Sequence, residues 1–497
     1  MPHAAHHAGT GLEFVACDLG AESGRCMLGQ FDGERVTLRE LSRFPNGPVK
    51  IGGHLHWDVL RLFGELTDGL RRCARDGHRP AGIGLDTWGV DFALLDRADH
   101  LIGNPYHYRD RRTEGMLDEA FRRVPREEIY AATGIQFMPI NTLYQLLSMV
   151  IDNDPQLERA QALLMMPDLL NFWLCGRKAC EFTDATTSQC IDPRARDWAV
   201  PLLQRLGIPA HIVQPVVPPA TVLGPLRSEV AAEIGLDPIP VIAPACHDTA
   251  AAVAAVPAED RDFAYISSGT WSLVGIESGG PILTPAALRY NFTNEGGVAG
   301  TFRLLKNVAG LWLVQECRRR WERDGPVEYA ELMRAAAQAP AFGPIIDPDH
   351  EQFLRPADMP AAIRRACRES GQPEPADRGA VLRCILESLA LKYRWVIERL
   401  EELAARQIRT IHIVGGGSRN DLLCRLTADA TGRAVYAGPA EATAIGNTLV
   451  QAMALGHLTS LADVRAVARR SAEPVVYEPR AGARWDDAQA ILQRLLR

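Results

Sequence analysis

Two distant stretches of the chain make the same local move, and that repetition limits its fold more than any other feature. The first is FVACDLGAESGRCMLGQF (residues 14–31) and the second is FAYISSGTWSLVGIES (263–278). In each, an apolar, β-prone run stops at glycines and small hydroxyl residues and is followed by another apolar run, the pattern of a hairpin. In the first half the strands read as Phe14–Cys17 and Cys26–Phe31, with Arg35–Leu41 as the third of a meander. Helical periodicity then covers 57–75, and AGIGLDTWGVDFALLD (81–96) returns to strand. In the second half the strands Phe263–Ser267 and Trp271–Glu277 flank a turn at Ser268 and Gly269. A long amphipathic helix at 379–403 follows, then TIHIVGGGSRNDLLCRLTADATG (410–432) as strand, glycine turn and helix, and RAVYAGPAEATAIGNTLVQAMALG (433–456) as strand and helix. Two α/β units, each opened by a glycine-turned hairpin, predict a duplicated α/β domain with a cleft between the copies. A proline-rich segment at 211–226 precedes the join, placed near Pro244.

The contents of the turns matter more than their glycines. DLGAESGR (18–25) puts Asp18 at a strand end, with Ser23 and Arg25 among glycines, and SSGTWS (267–272) sets Ser267, Ser268 and Thr270 around Gly269. Successive N–H groups in such a turn form an anion nest, and a carboxylate beside one suits a magnesium ion. A plain hairpin gives the same pattern, so each turn alone leaves both readings open. VGGGSRND (414–421) breaks the dinucleotide-binding fingerprint, because Asn420 stands where a third glycine or alanine belongs. It is either a tight strand-to-helix turn or a place where a nucleotide lies against backbone. The chain has no G-x-x-x-x-G-K-[ST] segment and no protein-kinase motif set.

PACHDTAAAVAAVP (244–257) poses the sharpest question, since His247 and Asp248 head what reads as a buried, alanine-rich helix. An aspartate there is an ordinary N-cap. The same carboxylate can also serve as a general base, because one oxygen caps while the other accepts a proton. Cys246 beside His247 does not make a thiol dyad, because sequence neighbours in an extended segment point apart.

Composition removes several classes of function. The chain has 497 residues, enough for at least two domains with real cores. A net charge of −7 gives no electrostatic footprint for nucleic acid. Eleven cysteines without a C-x-x-C pair fit reduced thiols in a cytoplasmic enzyme rather than a disulfide framework, with Cys367 and Cys384 the one spacing worth checking. MPHAAHHAGTGLEF lacks the basic head and apolar core of a signal peptide, so residues 1–12 read as a disordered lead. No apolar run approaches a membrane span.

Taken together, the motifs resemble those of the FGGY carbohydrate kinases, in the actin, sugar kinase and Hsp70 superfamily. The carrying segments are DLGAESGR (18–25), GLDTWGVDFALLD (84–96), YRDRRTEGM (108–116), PACHDTAAAVAAVP (244–257) and SSGTWSLVG (267–275). LLKNVAGLWLVQECRR (304–319), IDPDHEQFLRPADM (346–359) and VGGGSRNDLLC (414–424) continue the series in order. The resemblance implies two duplicated RNase H-like (actin-like ATPase) domains. The first, 13–244, would bind sugar and phosphate, and the second, 245–497, would carry the catalytic base and ATP binding. It implies Asp248 as the base that deprotonates the attacking hydroxyl, with His247, Asp248, Thr249, Gly89 and Asn307 toward the sugar. Ala21, Glu22, Ser23, Gly24 and Arg25 would form the first phosphate turn and Thr270 the second. Gln315 and Gly416 would contact the nucleotide, and Asp18 would be the magnesium-associated aspartate. Glu22 is a departure, since a small residue is expected in that turn.

The closest likeness is to the branch acting on L-rhamnulose, with DTWGVDFALLD and CHDT separating it from glycerol and xylulose kinases. It implies ATP-dependent phosphorylation of the C1 hydroxyl with Mg²⁺, by a cytoplasmic monomer or homodimer that binds neither nucleic acid nor membrane. Closing of the two domains would matter as much as the base. Trp88 and Phe92 are candidates for an apolar wall against the sugar's methyl end, or are simply core. The rival readings are a kinase of another ketose such as L-fuculose, a non-catalytic sugar or nucleotide sensor on the same fold, and an NAD-dependent oxidoreductase. The missing third glycine and the hairpin opening count against the last. An intact Asp248 counts against the sensor.

Overall fold

The computed structural model describes residues 11–354, 356–480 and 484–496. Most of the expected lead, residues 1–10, lies outside the described residues, and Leu12 already opens the first strand.

By its internal contacts the chain divides into two units. The first comprises Met1–Pro257, Glu277–Leu304 and Ala442–Ser471, and the second comprises Ala258–Ile276, Leu305–Glu441 and Ala472–Arg497. The expected join near Pro244 differs from this division. The helix Asp248–Ala254 stays in the first unit because its small residues pack on the helix Ala442–Ala454, where the backbone of Gly446 lies against that of Ala251. Asp248 therefore belongs to the first unit rather than the second.

The first unit is built on six strands: β1 (Leu12–Leu19), β2 (Ser23–Phe31), β3 (Val36–Pro45), β4 (Ile83–Thr87), β5 (Thr221–Pro225) and β6 (Pro240–Ala243). Their order is β5-β6-β4-β1-β2-β3, with β1, β2 and β3 antiparallel and β1, β4 and β6 parallel. Phe14, Val15, Ala16 and Cys17 are fully buried, as a central strand covered on both faces requires. The expected helix over 57–75 runs from Val59 to Arg75, started by the Asp58 carboxylate, which accepts from Arg61 N. Trp57 instead ends a short hairpin, Pro48–Ile51 with His54–Trp57, that the periodicity did not reveal.

A second sheet holds the hairpin β7 (Phe263–Ser268) and β8 (Ser272–Ser278), followed in the sequence by β9 (Phe302–Val308), β10 (Thr410–Val414), β11 (Ala434–Ala437) and β12 (Val475–Tyr477); most of it belongs to the second unit, with residues 277–278 of β8 and 302–304 of β9 counted in the first. The sheet has seven strands, in the order Thr293–Gly296, β9, β8, β7, β10, β11, β12, and β7 pairs antiparallel with β8 and parallel with β10, which pairs parallel with β11. A hairpin joined through its first strand to two parallel strands occurs in both units, so the duplication seen in the sequence is a duplication of topology. All eleven cysteines are free, Cys367 and Cys384 included. Among the described residues no helix is long and apolar enough to cross a membrane.

Candidate active site

The carboxyl ends of β1 and β4 bring acidic side chains together. Asp18 pairs in register with Arg25 on β2 and with Asp86 on β4. Arg25 donates to Asp18 Oδ2 from Nη2 at 2.8 Å and from Nε at 3.1 Å. Asp86 is fully buried in an otherwise apolar strand. Its Oδ2 accepts from Asn447 Nδ2 at 2.6 Å, whereas Oδ1 has no hydrogen-bond partner among the described residues. Burial first, and then the neighbouring charge of Asp18, hold the Asp86 carboxyl well above its ordinary range.

The segment Cys246–Thr249 is laced to the end of β4. Thr87 N donates to Cys246 O at 2.9 Å, and Thr87 and His247 form a parallel bridge. Asp248 is the first helical residue and His247 holds the N-cap position without a side-chain cap bond, so the expected aspartate cap is shifted by one residue. Asp248 Oδ1 accepts from Thr249 N and from Thr249 Oγ1 at 3.1 Å, and His247 Nε2 lies 3.4 Å away. Oδ2 has no hydrogen bond among the described residues. With 31% of its side chain exposed, Asp248 reaches solvent, yet burial of the remainder raises its pKa; His247 opposes that rise and Asp18 adds to it. One oxygen is thus held and the other is open, as a proton acceptor requires.

The turn after β4 is shaped by contact with the segment 181–188. A Cβ on Gly89 would come within 2.7 Å of Thr187 Oγ1, which also accepts from Val90 N at 2.9 Å. The same segment reaches His247, whose N–H donates to Thr183 Oγ1 at 3.2 Å, while Glu181 Oε2 accepts from Cys246 N at 3.0 Å. Neither Asp86 nor EFTDATTS (181–188) stands out in the sequence; their signals there are a carboxylate in a short apolar run and a hydroxyl-rich run after a glutamate.

Trp88 and Phe92 are both buried. Trp88 stacks on Trp57 with ring centroids 4.0 Å apart, and both indole N–H groups donate to Asp91 Oδ2, at 3.0 and 2.6 Å. Gln145 Nε2 donates to Asp91 Oδ1 at 2.9 Å, and burial raises the Asp91 carboxyl to about 6. The core reading of Trp88 therefore has a specific partner.

The first candidate phosphate turn joins β1 to β2. Ala21, Glu22 and Arg25 are half-buried, Ser23 is exposed and Gly24 is buried. A Cβ on Gly24 would lie 2.3 Å from the Phe44 ring, and Glu22 O accepts from Asn46 N at 2.9 Å.

The remaining candidates lie in the second unit. Thr270 sits half-buried between β7 and β8, and its carbonyl accepts from Trp312 N at 3.0 Å. Gly310 (φ +51°) passes so close that a Cβ would lie 2.5 Å from the Trp271 backbone. Gln315 is on the helix Trp312–Glu322, and its Oε1 is a buried acceptor without a donor among the described residues. Asn307, half-buried on β9, falls in this unit, apart from the other sugar-side candidates. In the glycine turn Gly416 is exposed with open space around it, whereas a Cβ on Gly417 would lie 2.0 Å from Ser268 Oγ. Asn420, the residue that broke the dinucleotide fingerprint, caps the helix Asp421–Thr431 by accepting from Leu423 N at 2.9 Å.

Among the described residues no group of three or more His, Cys, Asp or Glu side chains converges to hold a metal. Asp18 and Asp86, with one orphaned oxygen between them, fit an ion that keeps most of its water, as Mg²⁺ does.

Residues 14–255 match the N-terminal domain of the FGGY family of carbohydrate kinases, and residues 264–455 match its C-terminal domain. The chain is 47% identical over 475 residues to the rhamnulokinase of Bacteroides thetaiotaomicron, covering 96% of this chain and 97% of that one. It is 40% identical over 463 residues to the rhamnulokinase of Oceanobacillus iheyensis, covering 93% and 97%. Among solved structures it shares the fold of a ligand-bound xylulose kinase from Lactobacillus acidophilus, with a TM-score of 0.78 at 18% identity over 97% of this chain and 96% of that one. A glycerol kinase from Plasmodium falciparum with ADP gives a TM-score of 0.76 at 14% identity over 98% of both chains.

Proposed function

This chain belongs to the FGGY family of carbohydrate kinases, and from that premise we propose that it transfers the γ-phosphoryl group of ATP to the C1 hydroxyl of L-rhamnulose. The observation that carries the choice of sugar is the near full-length similarity to rhamnulokinases.

Asp248 is the base in this reading. Its Oδ1 is occupied by Thr249 and faced by His247, so Oδ2 is the oxygen left to take the proton of the C1 hydroxyl. The O1 lone pair then forms the bond to the γ-phosphorus, the bond from that phosphorus to the bridging oxygen breaks, and ADP leaves with its electron pair. A raised carboxyl pKa makes the ionised Asp248 a stronger proton acceptor than a solvated aspartate. On the sugar side His247, Thr249, the Gly89 backbone and Asn307 are the proposed contacts. On the nucleotide side they are the turn Ala21, Glu22, Ser23, Gly24 and Arg25, together with Thr270, Gln315 and Gly416. Asp18 and Asp86 would hold Mg²⁺ through water, and the ion when bound neutralises phosphate charge. Eleven free thiols suit a reducing compartment, which supports a cytoplasmic location.

ADP release measured across L-rhamnulose, L-fuculose, D-xylulose and glycerol tests the assignment. The expected result is the highest kcat/KM for L-rhamnulose, with its epimer L-fuculose clearly lower. A higher value for any of the others overturns the choice of sugar and leaves the kinase family standing. An apolar pocket wall discriminates by only about 10–200-fold, so D-xylulose should be poor rather than inert.

A further inference from the structure

Behind His247 lies a buried ion pair that the chemistry above does not use. Arg303, on β9, is fully buried, and Glu295, on the strand Thr293–Gly296, is 4% exposed. Arg303 Nη2 lies 3.0 Å from His247 Nδ1 and 3.1 Å from Glu295 Oε2, and its Nε donates to Gly296 O at 2.8 Å. Glu295 Oε2 itself is 3.4 Å from His247 Nδ1. All these residues belong to the first unit.

A guanidinium has donors and no acceptor, so the His247 nitrogen that faces it must present a lone pair. The ring proton is then on Nε2, the nitrogen 3.4 Å from Asp248 Oδ1. We propose that Arg303 and Glu295 are positioning residues for phosphoryl transfer, Arg303 fixing His247 as the neutral Nε2–H tautomer so that its N–H faces the held oxygen of Asp248. This rests on the reading of Asp248 as the base. Glu295 anchors the guanidinium and, being the competing partner for Nδ1, makes Arg303 necessary.

Without Arg303, the Glu295 carboxylate loses its counter-charge and draws a proton to Nδ1. The imidazole then either becomes a cation beside Asp248, which weakens that carboxylate as a base, or turns a bare Nε2 toward it. Among the described residues the other charged side chains within 4 Å of the ring are Asp248 and Glu295, both acidic, so neither replaces Arg303.

The test compares Arg303→Gln, Glu295→Gln, the double variant and Asp248→Asn by the pH profile of kcat, with ATP affinity checking that each protein is folded. Removing a partner that orients a site residue costs about 10–100-fold. Arg303→Gln should lose that much kcat and gain an ionisation, with the rate rising with pH as the cation is lost. The double variant should regain at least part of the rate and lose the extra ionisation, because nothing then pulls a proton to Nδ1; a merely structural pair predicts no such rescue. In the unaltered protein, ¹⁵N spectra of labelled histidine, assigned through His247→Gln, should show neutral His247 protonated on Nε2, a readout that needs no folded Arg303 variant. A cation, an Nδ1–H tautomer, an unchanged profile in Arg303→Gln, or a double variant as slow as the single would overturn the proposal. Should Asp248→Asn turn over at the normal rate, the base reading itself falls; should Asp248→Asn be slow while Arg303→Gln keeps the normal profile, only this inference falls.

Discussion

At the scale of single residues Asp248 is the proposed base, and its surroundings set two expectations. Asp248→Asn keeps the size and the bonds from Thr249 but removes the proton acceptor. It should lower kcat by about 10²–10⁴-fold with ATP affinity nearly kept. A normal rate in steady-state assays would reduce Asp248 to a helix-head residue. The second expectation concerns pH. Only the ionised carboxylate accepts a proton, so kcat rises with pH through the Asp248 pKa. Because burial and Asp18 raise that pKa, the acid limb should lie above the ordinary 3.8 of an aspartate. Removing the Asp18 charge by Asp18→Asn should move the limb toward lower pH, though kcat itself falls if the residue also serves the metal. The sequence made Asp248 legible because a carboxylate before an alanine-rich helix is chemically conspicuous. Asp86, Glu295 and Arg303 stayed hidden because a polar residue in a short strand carries no local sign of its partner, and only the fold reveals what it faces.

At the scale of elements, the glycine turns separate steric need from room for a ligand. The sequence VGGGS gives three equivalent glycines, and the structure makes them unequal. Gly415 has φ +80°, Gly417 is pressed against Ser268, and Gly416 has neither constraint. A Cβ at 416 therefore has nothing within 4 Å among the described residues. Gly416→Val should leave the melting temperature nearly unchanged and raise the KM for ATP much more than that for the sugar. Gly417→Ala should instead lower the melting temperature, since Ser268 Oγ must move away from a β7 strand held on both sides. Thermal melts beside initial-rate kinetics distinguish the two. Equal rises in both KM values for Gly416→Val would return that position to a plain turn. The strand and helix periods marked most of these elements well, because buried strands and amphipathic helices write their period into the sequence. The short hairpin before the first helix escaped, since its four-residue strands are too brief for a pattern and Pro48–Ile51 is exposed throughout.

At the scale of the whole molecule, the duplicated topology was legible but the division of the chain was not. Local patterns follow sequence order, whereas the first unit takes residues 442–471 from near the far end of the chain. The helix Ala442–Ala454 covers the sheet strand β1 and packs on Asp248–Ala254, and its Asn447 holds Asp86. Gly446 is where the two helices touch most closely. A Cβ there would lie 1.8 Å from Ala251 O, and neither atom belongs to a flexible side chain that could swing away. Gly446→Ala must therefore push apart the helix that bears Asp248 and the helix that holds Asp86. Overpacking of this kind costs about 1–3 kcal/mol. Loss of kcat should accompany the lower melting temperature, because both carboxylates are displaced. Gly64→Ala is the matched control: it lies exposed in the helix Val59–Arg75 with nothing within 4 Å of its Cβ, so the same substitution should be neutral or stabilise by about 0.5–1 kcal/mol. If Gly446→Ala melts and turns over like Gly64→Ala, the late helix is not what seats the catalytic one, and the division of the chain into these two units has no bearing on catalysis.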